Sequence, residues 1–143
     1  MKKLLYALIA ESVIFSACEE DQESNSNSNI DITVSNMTGV WRATSFILDD
    51  NNVANFATIK YWLKPNMTIE ENIEYNYNIG NIDVNTGEWE INASNLIIQW
   101  VTGERTTYEI TPINNTTVSL LLVEWFDNGE IESTTILANF IKE

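Results

Sequence analysis

The sequence contains no histidine and a single cysteine, Cys18. Serine–histidine–aspartate and cysteine–histidine catalytic sets are therefore excluded, as are imidazole or multi-thiolate zinc sites and histidine proton shuttles. Positive charge is scarce as well, with seven Lys and Arg against 21 Asp and Glu and a formal net charge of −14. Lys2, Lys3 and Glu11 fall within the first 17 residues, so the rest of the chain carries five basic and twenty acidic residues. A protein this acidic lacks the cations that neutralise phosphates and release counterions, which argues against nucleic acid as a partner. The apolar stretch Leu4 to Phe15, interrupted by Glu11, is too short to cross a bilayer, which takes about 20 apolar residues in a helix.

What that stretch does fit is export. Met1-Lys2-Lys3 gives a positive start, Leu4 to Phe15 an apolar middle and Phe15-Ser16-Ala17-Cys18 a small-residue processing site, in the order of a secretory signal. Phe15-Ser16-Ala17-Cys18 resembles a bacterial lipobox of the kind familiar in bacteroidete lipoproteins. The resemblance implies that residues 1–17 are a removable signal peptide, that the sulfur of Cys18 receives diacylglycerol, and that its new amino terminus is acylated, as with palmitate. Several acyl chains, at about 0.8 kcal/mol per buried CH₂, anchor durably where one chain holds only marginally. The alternative, a core cysteine, sits poorly with the polar residues around Cys18. Glu19-Glu20-Asp21-Gln22-Glu23 resembles an acidic surface-export signal of the same lipoproteins, which implies a place on the outer face of the outer membrane. Read from composition alone, the run is equally a solvated, periplasm-facing tether. Ser24 to Asn29 alternates Ser and Asn and buries nothing, so residues 18–36 are expected to be a flexible, disordered spacer.

From Met37 onward apolar residues recur with a period of two between clusters of Asn, Asp and Gly, the pattern of successive antiparallel strands. Strands are expected at Thr38 to Leu48, with Trp41, Ala43, Ser45 and Ile47 on one face, at Thr58 to Lys64, with Ile59, Tyr61 and Leu63 opposite Trp62, and at Met67 to Tyr75. Asn76 to Thr86, rich in Asn and Gly, is expected to be a long loop with at most a short strand, placed to decorate a cavity mouth. Further strands are expected at Gly87 to Ile91, Leu96 to Thr102, Arg105 to Pro112, Thr117 to Phe126 and Ile131 to Ile141. Asn128-Gly129 suits a two-residue hairpin turn with both φ values positive. The whole is expected to be an all-β domain over residues 37–143, a small antiparallel up-and-down barrel of about eight strands that hides its edges by closing on itself. A barrel of that size is either filled by side chains or holds one small ligand.

Gly39-Val40-Trp41 at the head of the first strand resembles the Gly-x-Trp opening of lipocalins and of the lipocalin-like domains of bacteroidete lipoproteins. Gly87-Glu88-Trp89-Glu90-Ile91, Leu96-Ile97-Ile98 and Tyr108-Glu109-Ile110 fit later strands of the same group. The resemblance covers nearly all of residues 37–143. It implies that Gly39 and Trp41 are structural, with the indole packed across a closed barrel end under an arginine from a late strand. The last arginine here is Arg105, so either the closed end is sealed in another way or the barrel is irregular.

Tyr61, Trp89, Trp100 and Tyr108 are the candidate ligand-binding residues, as phenol and indole groups that orient a small apolar ligand, or else they fill the core. Trp62 and Trp125 alternate onto the opposite face, where exposed rings would contact a glycan or an outer-membrane partner protein. The pairs Glu88/Glu90 and Glu130/Glu132 each share a strand face, but nothing adjacent in sequence separates their acidities as catalysis requires. Neither Asp49-Asp50 nor Asp127 to Glu130 has calcium-loop spacing. No catalytic, metal or cofactor set is read. The expectation is a non-enzymatic, membrane-anchored binding module for a small hydrophobic ligand; the alternative is an interaction module with a solid core.

Overall fold

The computed structural model describes residues 31–143; Cys18, the signal sequence, the acidic run and the Ser/Asn spacer lie outside the described residues. A short helix α1 (Val34–Met37) precedes strand β1 (Gly39–Leu48), a two-residue strand β2 (Asn51–Asn52) and a 3₁₀ turn (Val53–Asn55). Then follow β3 (Ala57–Leu63), β4 (Thr68–Tyr75), β5 (Ile82–Asn92), β6 (Asn95–Trp100), β7 (Arg105–Asn114), β8 (Thr117–Asp127), β9 (Glu130–Ile131) and β10 (Ile136–Lys142). Each long strand pairs antiparallel with its neighbours in the order β1, β3, β4, β5, β6, β7, β8, β10, and β10 returns to pair with β1. The sheet is thus a closed barrel of eight strands, the expected all-β architecture, and closure leaves these strands no free edge.

Alternation fills the interior as the period of two demands. Ile59, Tyr61 and Leu63 of β3, Leu96, Ile98 and Trp100 of β6, and Thr106, Tyr108 and Ile110 of β7 are buried, while Trp62 is 44% exposed. Of three register shifts among the described residues, one lies at the β7–β8 hairpin end between Pro112 and Asn114, and two change the phase partway along a strand. In β1 the pairing with β10 slips between Ala43 and Ser45, so Phe46 is buried with Trp41 and Ala43, whereas the unbroken alternation had placed Ser45 and Ile47 there. In β8 Leu122 stands opposite Tyr108 but Glu124 opposite Thr107, which leaves Val123 as the extra residue. Trp125 is thereby turned inward against the core and away from the outer face it was expected to share with Trp62.

The long loop expected at 76–86 is shorter than that, because its second part, from Ile82 onward, is strand. β5 starts at Ile82 and pairs with β4 from Ile82↔Glu74 to Thr68↔Glu88, so only residues 76–81 form the connection. Its pattern is inverted near the tip: Ile82 and Val84 are about half exposed, while the polar Asn85 reaches a carboxylate on β4. The turn at Asn128-Gly129 has φ values of 48° and 91°, the two positive angles expected of it.

One end of the barrel is closed from upstream. Thr33 caps α1 by accepting from the Asn36 amide at 3.2 Å, and Met37, 1% exposed, plugs the opening. Trp41 lies beneath it and donates from Nε1 to the Met37 carbonyl at 2.6 Å. Lys142 supplies the cation over the indole, its Nζ 5.5 Å from the ring centroid and 2.7 Å from the Asn36 carbonyl oxygen. Gly39 is the counterpart of that arrangement, since its φ of +138° disfavours a side chain and a Cβ there would meet Cε of Lys142 at 2.8 Å. The last strand therefore seals the end with lysine, and glycine leaves the lysine stem its path.

Candidate functional site

The opposite end is open. A cavity of about 510 Å³ enters there, within the size range of pockets for small organic ligands. Its walls include the aromatic rings of Phe46, Tyr61, Trp100, Tyr108 and Trp125 with Ile136, beside polar groups from Glu71, Asn85, Glu104 and Thr106. The rings brace one another: Tyr61 meets Trp100 edge-on at 6.4 Å and lies tilted against Phe140 at 4.8 Å, and Phe140 in turn meets Phe46 edge-on at 6.3 Å. Trp100 is oriented by its Nε1, which donates to the Thr106 hydroxyl at 3.2 Å.

Of the four candidate aromatics, Tyr61, Trp100 and Tyr108 stand together in this wall. Trp89 lies outside it, 2% exposed, with its Nε1 donating to the Lys64 carbonyl at 3.1 Å and its backbone amide to the Met67 carbonyl at 2.8 Å. The turn after β3 thus holds Trp89 near the closed end. Gly39 and Trp41 are at that end as well. Glu88, Glu90, Glu130 and Glu132 are exposed on the outside.

The cavity also contains a residue that the strand pattern leaves unmarked as a site. Glu71 of β4 stands in register with Tyr61 and with Asn85 and shares the inward face of Ile69 and Ile73. Its Oε2 accepts from Asn85 Nδ2 at 2.6 Å, and the Tyr61 phenol is its neighbour on β3. Tyr61, Tyr108 and Thr106 line the same cavity. Polar groups from Asn85 and Glu71 through Tyr61 and Tyr108 to Thr106 thus share the cavity wall with the aromatic rings. The signal was the spacing Ile69-x-Glu71-x-Ile73-x-Tyr75, which puts one carboxylate in the middle of an apolar strand face.

Burial sets the acidities here. Desolvation, reinforced by nearby Glu104, raises the Glu71 pKa against the opposing hydrogen bond from Asn85 and the opposing influence of the Tyr61 phenol. Burial likewise raises Tyr61 well above the usual phenol value and pushes Tyr108 up to about 12, so both phenols remain protonated donors at neutral pH. Because the folded state holds the Glu71 proton more tightly than the unfolded chain, Glu71 costs stability as pH rises through the interval between its unfolded and folded values. Glu70 and Glu143 act in the opposite sense, their pKa values lowered chiefly by hydrogen bonds from Lys64 and Lys60, so their contribution is lost as pH falls. Comparison with Glu71→Gln cancels those two groups. The melting temperature of the variant minus that of the wild type is expected to increase with pH through the acid range and then level, in paired thermal melts. A difference that is flat or falls with pH would refute the assignment.

One polar atom in the wall has no partner among the described residues: Nε1 of Trp125 is buried and makes no hydrogen bond. A buried donor left in this way costs about 1–3 kcal/mol relative to a paired one. Its position beside an open cavity offers a hydrogen bond to a guest.

No protein-family model matches the chain, and no curated protein matches it by sequence. Among solved structures, the odorant-binding protein OBP1 is similar with a TM-score of 0.50 and 14% identity, over 80% of this chain and 77% of that one. A redesigned β-barrel aligns with a TM-score of 0.49 and 10% identity, over 77% of this chain and 94% of that one. A fluorescence-activating β-barrel of de novo design aligns at 0.45 and 13%, over 77% and 96% respectively. The described chain is a closed antiparallel eight-stranded barrel of lipocalin-like fold, with one end plugged and an aromatic cavity at the other.

Proposed function

We propose that the protein is a non-enzymatic carrier, a lipocalin-like lipoprotein that holds a small hydrophobic molecule in the open-end cavity. The observation that carries this reading is the cavity itself, about 510 Å³ lined by five aromatic side chains and reaching the buried faces of Tyr61 and Tyr108. Similarity of fold to an odorant-binding protein supports the same ligand class. The alternative, a solid module that docks a glycan or an outer-membrane partner through its outer-face tryptophans, has less support. Trp125 is turned into the cavity wall, and Trp62 lies under the Lys64 ammonium, 4.4 Å from its ring centroid.

The direct test is titration with N-phenyl-1-naphthylamine, an uncharged apolar fluorophore at neutral pH. Saturable one-site binding with a blue-shifted gain in emission is expected. Emission that rises without saturation, or not at all, counts against a carrier.

The same proposal places the barrel at the outer membrane, on the cell surface, through lipid on Cys18. The support is the order of residues 1–23: a basic start, an apolar stretch, the lipobox-like Phe15 to Cys18 and the acidic run. With its acyl chains the protein is expected to sediment with membranes, whereas Cys18→Ser shifts it to the soluble fraction, read by fractionation and blotting. Equal partition of the two proteins would remove the anchor from the account and leave the cavity untouched.

A further inference from the structure

Within the carrier reading, on which it rests, the geometry points to a narrower ligand class: an organic cation, a protonated amine on an apolar or aromatic body, whose ammonium group pairs with the Glu71 carboxylate. Two carboxylates, Glu71 and Glu104, line the cavity, and no Lys or Arg does. The five described basic side chains are engaged elsewhere. Arg42 and Lys60 bond Glu143, Lys64 bonds Glu70, Arg105 bonds Glu124, and Lys142 bonds the Asn36 carbonyl. Glu71 is therefore an inward carboxylate with amide and phenol neighbours but no counterion among the described residues. A negative group in an apolar interior is costly unless a cation joins it, and a cationic guest would satisfy it.

The surroundings suit such a guest. Tyr61, Tyr108 and Trp100 present aromatic surface near Glu71, and ring faces attract ammonium groups once water is excluded. Asn85 holds the carboxylate in place, so little ordering is needed when the cation arrives. The unpaired Trp125 indole N–H fits an acceptor atom at the other end of the ligand body. The strongly acidic chain favours the approach of cations over anions.

The test is displacement of bound N-phenyl-1-naphthylamine from the full protein by three molecules of one skeleton: tryptamine, which is cationic; tryptophol, which is neutral; and indole-3-acetate, which is anionic. Tryptamine is expected to displace the fluorophore at concentrations lower than tryptophol by about tenfold or more, the scale of one charge-assisted hydrogen bond, with indole-3-acetate weakest. Glu71→Gln is checked for folding by a cooperative thermal melt, each displacement is referred to that variant's own fluorophore affinity, and the preference for tryptamine over tryptophol should disappear. Equal displacement by amine and alcohol in the wild type, or preference for the carboxylate, would overturn the cationic ligand while leaving the carrier intact. Persistence of the amine preference in Glu71→Gln would overturn the role of Glu71. Absence of saturable fluorophore binding would overturn the carrier reading and this inference with it.

Discussion

Replacing Trp41 by alanine is expected to destabilise the barrel by about 3–5 kcal/mol, the usual cost of emptying a buried aromatic site, and to lower the melting temperature by roughly 10–20 °C. The indole is 2% exposed, and three features converge on it: the overlying Met37, the hydrogen bond from Nε1 to the Met37 carbonyl, and the Lys142 ammonium over the ring. Alanine would forfeit the packing and the cation contact, and would leave the Met37 carbonyl without its donor. The plug at the closed end depends on those contacts, since α1 is a single turn that would not persist without them. Trp62 provides the control. It is 44% exposed with one cation–π contact to Lys64, worth about 0.5–1 kcal/mol at an exposed site, so Trp62→Ala is expected to cost no more than about 1 kcal/mol. Denaturant unfolding of both variants checks the pair, and equal losses would show that Trp41 does not hold the closed end.

Gly87→Ala is expected to cost about 2 kcal/mol through overpacking, and its origin differs. A Cβ at position 87 would collide with the Gln99 carbonyl oxygen on β6, and the Gln99 carbonyl carbon and Trp100 Cα lie only 3.1 Å from the same point. All three atoms are backbone, so no rotamer change relieves the clash. β5 and β6 must separate, and Trp100, directly opposite Gly87, moves with them. The variant should therefore lose affinity for the apolar fluorophore as well as stability. A Gly87→Ala protein with unchanged melting and unchanged probe binding would mean that the close approach of the two strands is not needed.

Much of this architecture was legible from period and punctuation. Arg105 to Pro112 reads as a strand because Thr106, Tyr108 and Ile110 recur at every second place, and Asn128-Gly129 announces its own turn. Other features have no such signature. A β-bulge is a single extra residue, and nothing in Ala43-Thr44-Ser45 or Leu122-Val123-Glu124 marks Thr44 or Val123 as that residue. Each bulge reverses the alternation after it, which is why Phe46 and Trp125 were assigned to the wrong side. The start of β5 was hidden for another reason: beside a polar cavity mouth, Asn85 faces a carboxylate while Ile82 and Val84 are left to solvent, so the strand reads as loop.

The site was readable in part. Tyr61, Trp100 and Tyr108 could be identified because a barrel interior collects aromatics at alternate positions. Their meeting around one cavity, with Trp89 left near the closed end, depends on strand register. Glu71 shows the limit most clearly. Its neighbours at two-residue spacing mark the face as inward, yet an isolated carboxylate on such a face acquires meaning only once Asn85 and Tyr61 are seen beside it. Lys142 likewise carries no label as the cation over Trp41 until β10 is seen to close against β1.

The most direct test of a hollow barrel with one specific wall is the set of indole N–H signals in a ¹H–¹⁵N NMR spectrum, recorded as N-phenyl-1-naphthylamine is added. The five tryptophans serve as five reporters, spread over the closed end, the outer face and the cavity. A guest in the cavity should shift the signals of Trp100 and Trp125, the latter most, because its N–H has no partner to give up among the described residues. Trp41, Trp89 and Trp62 should stay in place. Shifts confined to Trp62, or no shift at any indole under saturating probe, would contradict a carrier cavity at the open end.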